Sequence, residues 1–160
     1  MRMSKSIAAA AAFTLGASLT YAQEGTATGT FTVKGKPAKL AYAYATVEPD
    51  APNVVRVTLS DIKLTPAQLN FPFGLQAATK AGQVHAVVAE IDATKKVVNT
   101  MLYDQAFAMD LVSSAGISNK FEGTIDKNAV TGKLFRSGPG EENKTPYDFS
   151  VTFNAPIKRK

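Results

Sequence analysis

The chain has 160 residues, no cysteine, 19 % charged residues and a formal charge of +5. That length suits a single domain behind a short leader. Without cysteine, disulfides, thiol catalysis and cysteine-ligated metal centres are excluded. The basic balance is weak, and part of it sits in the terminal Lys158-Arg159-Lys160. Nucleic-acid binding needs a concentrated basic face interleaved with aromatics, which this pattern lacks.

Residues 1–22 read as a secretory signal peptide. Arg2 and Lys5 form the positive n-region, Ile7 to Leu19 the apolar core, and Thr20-Tyr21-Ala22 the small-residue cleavage site. Cleavage near Ala22 leaves 23–160 as one domain, with 16 basic and 13 acidic residues, or +3. The mature chain is then expected to be soluble, periplasmic or secreted. No lipoprotein cysteine stands at the cut, and no later run approaches the roughly 20 apolar residues of a membrane span.

Beyond the leader, short alternating segments follow one another with turn residues between them. In Gly29–Lys34, Phe31 and Val33 face one way and Thr30 and Thr32 the other, the period of a half-buried strand. A turn at Gly35-Lys36-Pro37 leads to a strand over 40–46, in which Leu40, Tyr42 and Tyr44 share one face and alanines the other. A third strand is expected over 54–60. Residues 65–82 then change character. Thr65-Pro66-Ala67-Gln68 is a capping box with proline at the first helical position. Pro72 breaks that helix, and a second short one ends at Gly82. The apolar residues of this helical insert, Leu69, Phe71, Phe73 and Leu75, are expected to dock at the end of a sheet or barrel.

Strands resume at 84–91 and 96–103 around a turn at Asp92–Lys95. A poorly patterned stretch covers 105–119. Strands at 120–125 and 130–136 flank a turn at Asp126-Lys127-Asn128, and a loop at 137–143 precedes a strand at 147–153 with Phe149, Val151 and Phe153 inward. The chain is therefore all-β, about eight strands joined by short turns into an antiparallel meander with one short helical insert. The first and last strands carry matching Phe-and-Val faces. Their pairing would remove exposed edges, which favours a closed barrel over a two-sheet sandwich.

Candidate sites are few. Tyr42 and Tyr44, with Phe71 and Phe73 of the insert, form a possible aromatic wall for a ligand; the competing reading is ordinary core with hydroxyls at the rim. His85 is the single histidine. It shares its face with Val87, Ala89 and Ile91, and with no second histidine it suits a rim position or a ligand contact better than a metal site. The carboxylates Glu48, Asp50, Asp104, Asp110, Glu141 and Glu142 match no calcium-loop spacing. Ser118 lies outside any nucleophile elbow. No catalytic residues, metal or cofactor are expected.

The stretches Gly29–Lys36, Ala41–Ala45, Phe73-Gly74-Leu75 and Val130–Phe135 resemble those of a group of uncharacterised exported bacterial β-rich proteins. The resemblance spans most of the mature chain and implies export and the β class, with no activity attached. Two functions follow as expectations. One is binding of a small, partly apolar ligand in or at the mouth of the barrel. The alternative is a structural or protein-interaction domain of the cell envelope with a solid core.

Overall fold

The computed structural model describes residues 23–48, 50–69, 73–107, 109, 111–114 and 118–158. Residues 1–22, where a leader is expected, and Phe71 lie outside the described residues. The strands are β1 (Gly25–Val33), β2 (Lys36–Glu48), β3 (Ala51–Ser60), β4 (Ala86–Asp92), β5 (Val97–Tyr103), β6 (Leu111–Ser114), β7 (Asn119–Ile125), β8 (Ala129–Arg136), β9 (Gly140–Glu142) and β10 (Thr145–Lys158), with one helix, α1 (Gln76–Lys80). They form one sheet in the order β6-β5-β4-β3-β2-β1-β10-β8-β7, curled into a nearly closed barrel.

The turns that set the register are those with the right side chains. Lys34 and Gly35 both adopt positive φ (49° and 75°), the two-residue hairpin turn whose twist matches its strands. The turn thus falls one residue before the expected Gly35-Lys36-Pro37. At the β4–β5 turn, Asp92 Oδ1 accepts hydrogen bonds from Thr94 N, Thr94 Oγ1 and Lys96 N at 2.9, 2.7 and 3.0 Å. At the β7–β8 turn, Asp126 Oδ1 accepts from the backbone N–H of Asn128 and Ala129. Bonds to the ionised form hold both carboxyls below the usual aspartate range. The 137–143 loop contains a short hairpin instead, β9 turning into β10 through Asn143 and Lys144.

Closure between the chain's two ends matches the pattern of their faces. β1 pairs with β10 antiparallel from Thr26↔Asn154 to Val33↔Tyr147, with Phe31 opposite Phe149. Inside the barrel, Phe31, Leu40, Val57, Leu59, Val87, Ile91, Leu102, Leu134, Phe149 and Val151 are nearly inaccessible to solvent and form one cluster. The sheet ends at β6 and β7 instead of at the terminal strands, and β7 comes up against β5 across the gap. At this seam Asn119 Nδ2 donates to Thr100 Oγ1 at 3.0 Å, and Arg136 Nη1 donates to Asn119 Oδ1 at 3.1 Å and to the Tyr147 hydroxyl at 3.0 Å. Asn119 and Thr100 are both buried. Asn119→Leu should therefore lower the unfolding free energy by about 1–3 kcal/mol, because it leaves the buried Thr100 hydroxyl without its donor and the Arg136 guanidinium with only the Tyr147 hydroxyl. Urea unfolding followed by circular dichroism measures it.

The insert does not dock at the end of the barrel. Its capping box forms, with Thr65 N donating to Gln68 Oε1 at 2.8 Å and Gln68 N to Thr65 Oγ1 at 3.3 Å, but supports a single turn. α1 ends where expected: Gly82 at φ 68° lets Gln83 N and Gly82 N bond back to Ala78 O and Thr79 O. Leu64, Leu75, Ala78 and Val84 then pack on the outer face of β2, β4 and β5, against Tyr44, Ala86, Val88 and Tyr103. This second cluster explains why β4 is apolar on both faces.

Candidate functional site

His85 directly precedes β4 at one mouth of the barrel, in phase with the inward-facing Val87, Ala89 and Ile91. Its backbone is fixed from both sides: His85 N donates to Asp61 Oδ1 at 2.9 Å, and Asp61 N donates to His85 O at 3.2 Å. Its ring is fixed by Asp104, whose Oδ2 lies 2.9 Å from Nδ1. A carboxylate only accepts, so the proton of this bond sits on Nδ1, and Nε2 is the ring nitrogen left for a ligand. Asp104 is itself buried, and its Oδ1 accepts the Ala106 N–H at 2.7 Å. Each polar group in the chain from Ala106 to His85 is thus oriented by the next one back.

Beside this pair is a recess of about 250 Å³. Val33, Pro37, Ala38 and Ala106 supply its apolar lining, and Lys34, Lys36, Gln105, His85 and Asp104 its polar one. Lys34 and Lys36 reach it because the tight β1–β2 turn ends at this mouth. Other recesses lie at the seam (about 370 Å³, with Lys95, Lys96 and Lys120) and at the opposite mouth (about 250 Å³, with Asp92 and Asp126). No group of three metal-ligating side chains occurs among the described residues. No described helix is long and apolar enough to cross a membrane.

Among the described residues expected at a site, the structure keeps Tyr42 and Tyr44 in one cluster and places His85 elsewhere. Of these, His85 lines the mouth recess. Tyr42 and Tyr44 pack in the outer cluster under the insert, while Leu40, expected on their face, points inside. The cause is a register slip: β1 and β2 pair as Thr26↔Tyr42 and then Gly29↔Leu40, one extra residue on β1. Across this irregularity the inward set changes from Leu40 to Ala43 and Ala45, and small residues there leave room for the phenylalanines of the barrel interior. The Tyr44 hydroxyl accepts the Leu64 N–H at 3.0 Å, and burial raises its pKa. Burial likewise pushes Tyr103 up to about 12. Both phenols remain neutral through the physiological range. Phe73 is 72 % exposed on the insert, away from any ligand wall. Asp104 is the residue that sequence reasoning missed as a partner of His85.

Comparison with protein-family models, with curated proteins and with solved structures finds no match. The geometry of the mouth is the basis for any functional reading.

Proposed function

We propose that this chain is an exported binding domain that holds a small, partly apolar ligand at the mouth of its barrel, in the recess beside His85. One observation carries the reading: a 250 Å³ recess whose histidine ring is held at 2.9 Å by a buried, backbone-anchored carboxylate. Preorganisation of that kind lowers the ordering cost of binding, because the polar group is in place before a ligand arrives. The inward faces of the barrel carry one cluster of buried apolar residues, which directs the reading to the mouth, where the polar groups are. Export, to the periplasm or the medium, rests on the leader pattern at 1–22.

Native mass spectrometry of the protein taken from its own host, with N-terminal sequencing, tests both parts. The expected result is an amino terminus near Gln23 and a retained small molecule that His85→Ala sheds while the fold melts cooperatively. A bare mass for the wild-type chain, with no small molecule that shifts the recess resonances in nuclear magnetic resonance spectra, would end the mouth reading. The continuous apolar cluster inside the barrel favours a second reading, an envelope protein-interaction domain acting through its outer surface. Crosslinking in intact cells would then capture a partner on residues remote from His85.

A further inference from the structure

Resting on the mouth-binding reading, we infer that the recess takes a small monocarboxylate, with its anionic end at Lys34 and Lys36 and its hydrocarbon end on Val33, Pro37, Ala38 and Ala106. A volume of about 250 Å³ falls just below the roughly 300–1,000 Å³ of sites for drug-sized ligands, so the occupant is a short molecule. The charged side chains around the recess are Lys34, Lys36 and Asp104, with the His85 ring on Asp104 and Asp61 on the backbone of His85. The Asp104 charge is already met by His85 Nδ1–H and the Ala106 N–H, and the side chain is buried. Lys34 and Lys36 form no ion pair among the described residues, so they are the charges left for a ligand. One cationic side over an apolar floor suits an anion with a short hydrocarbon part. It does not suit inorganic phosphate, which has nothing to place on Val33 and Ala38.

The test titrates the full mature chain with benzoate, benzamide and inorganic phosphate, reading the backbone amides of Ala38 and Ala106 and the His85 ring by nuclear magnetic resonance. Benzoate is expected to shift these signals and to bind about five- to tenfold more tightly than benzamide, a ratio two partly exposed lysines can support. Added salt should weaken benzoate alone, since screening acts on the charged ligand. The Lys34→Gln/Lys36→Gln double variant should keep its fold and bind both aromatics equally. If benzamide matches benzoate in the wild-type chain, or phosphate matches it, the carboxylate assignment is overturned while the mouth reading stands. If none of the three probes shifts the recess signals, both fall.

Discussion

Phe149→Ala is expected to lower the unfolding free energy by about 3–5 kcal/mol, the range for deleting a buried phenylalanine. Phe149 is 1 % exposed and sits opposite Phe31, also 1 % exposed, across the β1–β10 pairing. The ring therefore has two roles. It fills the barrel interior, and it holds the first strand to the last, the longest-range contact the fold contains. A domain of this kind has roughly 5–15 kcal/mol of stability in total, so the loss removes about a fifth of it or more. No disulfide is available to limit the damage. Urea unfolding monitored by circular dichroism should show a much lower midpoint with a similar slope. A midpoint close to wild type would mean that the terminal strands are not what closes the barrel.

The second large effect concerns a residue with no side chain. Gly132→Ala should cost about 3 kcal/mol, the upper part of the overpacking range, or prevent folding. Gly123 and Gly132 are directly paired on β7 and β8. A Cβ on Gly132 would overlap the Glu122 carbonyl oxygen and lie 2.7 Å from Gly123 Cα and 2.9 Å from Phe121 Cε2. Two of those three atoms are backbone, so no rotamer change relieves them and β7 must move. The Phe121 ring covers the space that the two missing side chains leave. Thermal melting of Gly132→Ala beside Thr131→Ala, its exposed neighbour, separates steric cost from strand propensity. Equal melting temperatures for the two variants would remove the argument.

The all-β class, the order of most strands, the hairpin turns at Asp92–Lys95 and Asp126–Asn128 and the pairing of the two ends were legible in the chain. All depend on information within a few residues or on a period of two: Phe31 and Val33 alternate with threonines, and Phe149, Val151 and Phe153 alternate with polar partners. The capping box at Thr65 was equally legible, yet it makes one turn. Docking of the insert on the outer face of β2, β4 and β5 was not legible, because no local signal encodes it.

Sequence by itself determined what most strands would bury and roughly where the chain would turn, because side-chain alternation and turn chemistry are local. Tertiary structure decided which residues share a site, because single-residue slips between strands change every facing downstream of them. One slip sends Tyr42 and Tyr44 outside and two alanines in. Another, between Ile91↔Val97 and Glu90↔Asn99, advances β5 by one residue, so that Ala86 meets Tyr103 and His85 comes level with Asp104 instead of with Tyr103. A bulge leaves no mark in composition or periodicity, and the pairing of the single histidine with its carboxylate exists only because of one.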